Sequence, residues 1–316
     1  MALSILECVP NVSEGRDRPL IDRLAGAIQS VAGVRLADIH ADPDHHRSVF
    51  TFLGAPAAVE AAAYALAEAA LRAIDMTTHR GIHPRIGALD VLPFVPLREM
   101  SMAEAVAIAH RVGRTLGTRF ELPIFFYAEA ALSPERRSLP WIRRGEYEGL
   151  ARRLADPAWK PDAGPARFNP RSGATAVGAR GIFVAFNVWL DSNDLDAARA
   201  IARAVRASSG GLPAVQAMGV PLARHGIVQV SLNLLDYRRT SLPRVFERVR
   251  SEAALRGISI RRSELVGLAP RDAFEGTTPE SLALPDFTDA KVLESYLPPH
   301  PPLSPAGGED QGEEGR

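Results

Sequence analysis

Ten residues, THRGIHPRIG from Thr78 to Gly87, hold two histidines four apart, with Gly81 between them and Pro84 behind the second. On a helix, His79 and His83 would share a face and could grip a zinc ion. Gly81 and Pro84 argue against a helix, and the HExxH pattern of zinc hydrolases is absent. A rigid loop could instead hold one imidazole at a fixed angle beside Arg85. The imidazole transfers protons near neutral pH, and the guanidinium binds carboxylates. A well-made turn with a structural histidine accounts for the same residues without chemistry. Local signal leaves these readings open, and the Gly–Ile–His–Pro–Arg setting singles out His83.

Two further clusters sit beside strand ends, where sites tend to be built. HADPDHHRS, His40 to Ser48, packs three histidines, Asp42, Asp44 and Arg47 into nine residues. Histidine with carboxylate suggests a metal, but DPD is also good turn chemistry, and adjacent His45 and His46 point apart in an extended chain. VPNVSEGRD, Val9 to Asp17, places Asn11, Ser13 and Glu14 at a helix start, which is either an anion site or a capped turn. P-loop, serine-hydrolase elbow and G-x-G-x-x-G patterns are missing. Cys8 lies in an apolar strand and reads as core.

These loops need elements to position them. Periodicity predicts strands at Ile5–Val9, Val34–Ile39, Ser48–Leu53, Ala88–Val95 and Pro123–Ala128. Helices are predicted from Pro19, from Pro56 to about Asp75, and over Ser101–Gly117. Arg136–Gly178 is rich in Pro, Gly and Arg, with a helical patch near Glu146–Leu154; a stretch this long is a linker or a functional loop. Strands at Ile182–Leu190, Ala214–Met218, Ile227–Leu234 and Ser259–Val266 alternate with helices at Asp194–Ser208 and Ser241–Gly257. This second half is β-α-β-β-α-β, the split βαβ order, and the first half begins the same way. The fold class is therefore α/β (α+β): two related ferredoxin-like subdomains, residues 1–178 and 179–297, each a sheet covered by helices, with a cleft between them. Residues 298–316, rich in Pro, Gly and acids, read as a disordered tail.

The 37 basic and 37 acidic side chains balance, so there is no electrostatic footprint for nucleic acid. One cysteine rules out an intrachain disulfide and fits a reducing cytoplasm. No secretory leader opens the chain, and the alanine-rich run near Ala57–Ala70 is too polar to span a membrane.

ECVPNVSEGRD resembles the opening of the formiminotransferases, and DMTTHRGIHPRIGALDVLPFVPL, Asp75 to Leu97, resembles their most distinctive block. LPWIRRGEYEGL, WKPDAGP, SGATAVGAR, FNVWL, VQVSLNLLDY and ELVGLAP follow in the family's order, from about Glu7 to Pro270. The resemblance implies transfer of a formimino group between N-formimino-L-glutamate and N5 of tetrahydrofolate, in histidine breakdown. It implies tetrahydrofolate as co-substrate, no metal, a folate groove between the subdomains and a homodimer. The length suits a single-function form without the cyclodeaminase domain some relatives carry.

Residue by residue, the resemblance makes His83 the catalytic acid/base. The folate loop becomes Gly164, Pro165, Ala166, Arg167, Phe168, Asn169, Pro170, Arg171, Ser172 and Gly173. Substrate-binding candidates are Asn11, His40, Asp42, Arg47 and Arg85, with Asp42 or Asp44 beside the amidinium and Arg171 toward the folate tail. Relatives with the fused domain carry an acid at the position of His40 and a tryptophan at Ser172. Position 46 is often asparagine in the family. Folate-dependent formyl transfer, or a non-catalytic folate-binding paralogue, is the alternative.

Overall fold

The computed structural model describes residues 3–298. The tail expectation falls, from residue 299 on, outside the described residues.

In chain order the elements are β1 (Leu6–Cys8), β2 (Asn11–Val12), α1 (Arg18–Gln29), β3 (Val34–Asp42), β4 (Arg47–Gly54), α2 (Pro56–Ala73), β5 (Leu89–Pro96), α3 (Met102–Arg119) and β6 (Ile124–Ala128). After these come α4 (Leu139–Ile142), α5 (Glu146–Leu154), β7 (Thr175–Ala179), β8 (Val184–Leu190), α6 (Leu195–Val205), β9 (Val215–Leu222), β10 (Ile227–Leu234), α7 (Leu242–Ala254) and β11 (Ile260–Val266).

β1 and β2 are two pieces of one path, each antiparallel to β4 on one side and β5 on the other. Pro10 separates them because it has no N–H for the ladder; its carbonyl accepts Phe50 N at 3.0 Å. Counted as one strand, they give the spatial order β5, β1/β2, β4, β3, which is the ferredoxin-like order. The second sheet repeats it as β11-β8-β10-β9, antiparallel throughout. β7 and β6 extend the first sheet beyond β5, in parallel. The two related subdomains expected from the element order are therefore present.

Three elements differ from expectation. Asn11, placed in a polar turn by its type, is a strand residue paired with Val91 and Val49. β3 runs on to Asp42, so His40 and Asp42 leave the loop and sit two apart on one strand face. β7, TAVGA, emerges from the stretch that lacked periodicity. Alanine and glycine have little strand propensity, so nothing local marks it. Here small size is the requirement: a Cβ on Gly178 would lie 2.5 Å from the Tyr127 ring.

α1, α2 and α3 cover one face of the first sheet, and α6 and α7 cover one face of the second. Phe50, Phe52, Phe94 and Phe126 are fully buried in the cluster formed with α1, α2 and α3. Each such burial contributes about 1.5–3 kcal/mol. The buried face of α1 includes Ile21, Leu24, Ala25 and Ile28, the predicted stripe. Ser101 and Glu104 form a reciprocal cap at the start of α3. α6 and α7 bury the second sheet's core. A third cluster joins Val91, Phe125 and Tyr127 to Ile142, Leu150 and Leu154, so α4 and α5 cover the other face of the first sheet around β5, β6 and β7.

β3 and the turn after it form the seam between the subdomains. Asp38 accepts from Lys291 Nζ at 2.7 Å and from Gly267 N at 3.2 Å. Asp44 accepts from Arg224 N at 3.1 Å, and Tyr296 donates to the Ala37 carbonyl at 3.1 Å. No described helix is long and apolar enough to cross a membrane.

Candidate active site

The two histidines of the opening motif have separate partners. His79 Nδ1 accepts from Arg85 Nε at 3.2 Å, so its proton sits on Nε2 and goes to the His46 carbonyl at 2.9 Å. Burial pushes its pKa down to about 4, leaving it neutral. It stacks on the His46 ring with centroids 4.2 Å apart. Gly81 allows this packing: a Cβ there would meet the His45 carbonyl at 2.5 Å. The His46 ring nitrogens face the Arg80 carbonyl and the Glu14 carboxylate. Burial would raise the Glu14 pKa, but His46 and the amides of Asp17 and Arg16 outweigh it and bring it down to about 2.

His83 has the geometry of a base. Its Nδ1 donates to the Pro84 carbonyl at 2.8 Å, which leaves the Nε2 lone pair available. Burial, then Arg47, Arg143 and His45, hold its pKa well below the usual histidine range, so the ring is neutral at pH 7. His45 lies against it, centroids 5.5 Å apart and tilted 43°. The Gln229 amide, from β10 of the second subdomain, donates to His45 Nε2 at 3.0 Å. That directs the His45 proton, on Nδ1, toward Asp42 Oδ2 at 3.7 Å. Asp42 Oδ1 accepts the amides of Asp44 and His45, both at 2.8 Å, which is the turn chemistry that DPD suggested. His45 and His46 do point apart, one to His83 and one to His79.

Arg47 Nη1 donates to Asn11 Oδ1 at 2.7 Å, so these two substrate candidates are brought together. Burial, then Arg143, lowers the Arg47 pKa to about 10. The register between β2 and β5 skips Asp90, making it a bulge residue whose side chain is re-aimed. Asp90, 1% exposed, accepts Ile86 N at 2.8 Å and pairs with Arg143 Nη2. One buried carboxylate thus ties down the end of the His83 loop and fixes an arginine beside it.

Arg85 is already engaged by carboxylates of the chain itself. It was expected to hold a substrate carboxylate, yet Glu148 takes it bidentately at 2.8 and 2.6 Å, and Glu146 at 3.1 Å. Glu146 and Glu148 lie some sixty residues on, beyond any local pattern. Arg85→Ala should therefore lower the unfolding free energy by about 1.5–3 kcal/mol, from charged hydrogen bonds, with catalytic constants for both substrates changing together. A selective rise in one KM with stability intact would return Arg85 to substrate binding.

The His40 ring has no hydrogen-bond partner among the described residues, and burial lowers its pKa. Its ring, Asp42 and Glu264 of β11 place ligand atoms within 4.8 Å of one another. Asn187 Nδ2 holds Glu264 Oε1 at 2.8 Å. A neutral imidazole with two carboxylates suits a cationic group. A cavity of about 190 Å³ lined by His40, Glu264 and Lys291 adjoins it. A larger one, about 430 Å³, opens beside Arg80, Arg85, Glu146 and Glu148, and its lining does not include His83.

Adjacent residues near the end of the 164–173 loop hold both ends of the His83 loop. Arg171 O accepts Met76 N, and Ser172 O accepts Ala88 N, both at 2.9 Å. Asn169 closes the turn on Ser172 N at 3.0 Å, and Tyr147 donates to Pro170 O at 2.5 Å. Phe168 lies against the Tyr147 ring at 5.5 Å. Arg167 pairs with Glu121 at 3.1 Å, and Arg171 reaches Arg72 O at 2.9 Å and Asp75 at 3.5 Å. Ser172 is buried.

His45 and His79 both have pKa values near 4 in the fold and near 6.5 when exposed. Depressed histidines add stability that is complete above the unfolded pKa and is lost as pH falls toward the folded one. Near pH 5 these two rings should together take up roughly two protons on unfolding; the depressed His83 and His40 add to that, buried Glu7, raised to about 7, offsets part of it, and the net is measurable from the pH dependence of the denaturation midpoint. Uptake near zero would contradict neutral, buried rings.

Residues 5–180 match the formiminotransferase domain's N-terminal subdomain, and residues 185–278 match the formiminotransferase domain. The chain is 41% identical to glutamate formimidoyltransferase of Streptococcus pyogenes serotype M1, over 93% of this chain and 98% of that protein. It is 42% identical to the enzyme of the same name from Thermoplasma acidophilum, with the same coverage. Against the mouse formimidoyltransferase-cyclodeaminase it is 43% identical, over 85% of this chain and 51% of that protein. With both halves matched in order and relatives covered almost end to end, this chain belongs to the formiminotransferase family.

Proposed function

We propose that this enzyme moves a formimino group between N-formimino-L-glutamate and N5 of tetrahydrofolate, with His83 carrying the proton. The observation that supports it most is the fixed tautomer of His83: Nδ1–H is held by Pro84 O, and Nε2 is left as an acceptor among cations.

The amidine carbon is already electrophilic, and more so when its nitrogen is protonated. N5 of tetrahydrofolate attacks it, and the N5 proton passes to His83 Nε2. In the resulting tetrahedral adduct, the same proton is given to the glutamate nitrogen. The carbon–nitrogen bond to glutamate then breaks, releasing the amino acid and leaving the formimino group on N5. A neutral, desolvated imidazole is in the right form to start this sequence, and its return to neutrality drives the second transfer. The low pKa also keeps the site from holding a second positive charge beside the amidinium. Asp42 and Glu264, with neutral His40 between two carboxylates, supply the anionic surface that an amidinium needs. Asp44 is the weaker of the two aspartate candidates, because its carboxylate takes Arg224 N at the seam. The 164–173 loop, tied to the His83 loop, is the proposed folate contact, and a homodimer is the proposed assembly.

Turnover of tetrahydrofolate with N-formimino-L-glutamate, followed as 5-formiminotetrahydrofolate without added metal, tests the proposal. Absence of product with tetrahydrofolate still bound would sink it.

A further inference from the structure

Of the two cations beside His83, Arg143 is in ion-pair contact with a carboxylate and Arg47 is not. Arg47 makes its hydrogen bond to the neutral amide of Asn11 and, among the described residues, has no carboxylate in ion-pair contact. Arg143, at the end of α4, donates through Nη2 to Asp90, while its Nε is buried without a partner. Asp90 is shared with Ile86 N. Asp42 has one oxygen held by two backbone amides and the other turned to His45. Arg85, on the His83 loop itself, is neutralised by Glu146 and Glu148.

The pieces converge by strand register. Asn11, which holds Arg47, pairs with Val91, and Asp90 is the bulge residue next to Val91. Asp90 in turn holds both Arg143 and the backbone three residues after His83. Both guanidiniums are also close enough to His83 to depress its protonation.

We propose that Arg47 and Arg143 form a carboxylate clamp beside His83, and that the group it takes is the α-carboxylate of the glutamate moiety. This deepens the function proposed above and rests on it. The chemistry selects the α-carboxylate. The nitrogen that must receive a proton is bonded to Cα, as is the α-carboxylate, so a clamp beside the base holds both within one small reach. The γ-carboxylate is two carbons farther along the chain. Desolvated guanidiniums bind carboxylates strongly, and two of them fix direction as well as charge. Arg143 replaces Arg85, the residue that sequence position favoured for this role.

The test compares three donors: N-formimino-L-glutamate, its α-carboxamide and its γ-carboxamide. The wild-type enzyme should lose about 10–100-fold in kcat/KM on the α-carboxamide, as expected for losing charged hydrogen bonds, and much less on the γ-carboxamide. Arg143→Lys keeps a cation for Asp90. The pair Arg143→Met with Asp90→Asn removes the buried charges together, so that neither is stranded. In both variants the α-carboxamide penalty should shrink, in the pair to roughly threefold or less, with the loss on the parent donor appearing mainly in KM. An unchanged penalty, with all three donors falling alike, would make Arg143 purely structural and overturn the clamp. A larger γ- than α-carboxamide penalty would overturn the assignment of the carboxylate.

Calorimetric titration with L-glutamate separates the two levels. Binding that weakens about tenfold or more in Arg143→Lys, with no wild-type turnover, keeps the clamp and removes the transfer function. Turnover with unweakened L-glutamate binding removes the clamp alone, and no binding together with no turnover removes both.

Discussion

His83→Ala should fold normally and lose about 10²–10⁴-fold in turnover, the usual contribution of a positioned general acid–base. The ring is half-buried, and its one hydrogen bond is to its neighbour's carbonyl, so little else in the structure hangs on it. His79→Ala is the informative companion. That ring holds the His46 carbonyl and Arg85, so its loss should appear first in stability. The readout is kcat at saturating tetrahydrofolate and N-formimino-L-glutamate, with circular dichroism and a denaturation midpoint on each variant. Unaltered turnover in His83→Ala would refute the proton-transfer role. Unfolding would make His83 structural, the plainest reading its sequence allowed.

The largest stability effect is expected at Asp90. Replacing it with alanine would leave the Arg143 guanidinium in a buried setting without its partner and Ile86 N without an acceptor. Breaking one side of a buried ion pair costs about 3–5 kcal/mol, a large part of the 5–15 kcal/mol typical of a folded domain. Asp90→Asn should cost less, because its carbonyl can still accept Ile86 N. Denaturant unfolding at constant m value measures both. A cost under about 1 kcal/mol for Asp90→Ala would mean that water or Asp42 takes over Arg143, and that the loop does not depend on the bulge. Activity should fall with stability, since the loop that Asp90 anchors also carries His83.

What could be read in advance was what is written locally. The apolar stripe of α1, the cap of α3 and the alternation along β4 and β10 carry their own periodicity, and the folds of both halves follow from their order. His83 was legible because glycine and proline on either side announce a rigid mount. Arg143, Asp90, Gln229 and Glu264 were not. Asp90 pairs with Arg143 across 53 positions and Gln229 meets His45 across 184, distances at which no repeat speaks. The lone acid within ALDVLPFV was the one usable hint, since an apolar strand does not bury a carboxylate without a partner. The ion pairs of Arg85 were not legible either, because its proximity to His83 in sequence said nothing about Glu148. The strand position of His40 and Asp42 was hidden for a different reason. Polar residues read as loop, yet a strand facing a polar seam is polar too.

The seam has a temporal side. During synthesis the first subdomain can fold as soon as it emerges, and at about 5–20 residues per second the rest follows later. Through that interval β3 carries Asp38 without Lys291 or Gly267, which come 253 and 229 positions afterwards. Gln229 has yet to reach His45. A ribosome-bound chain ending before β10 would thus hold His83 in place but lack the residue that orients its neighbouring imidazole. Chemical competence would be delayed until the far end of the polypeptide had arrived and closed on its beginning.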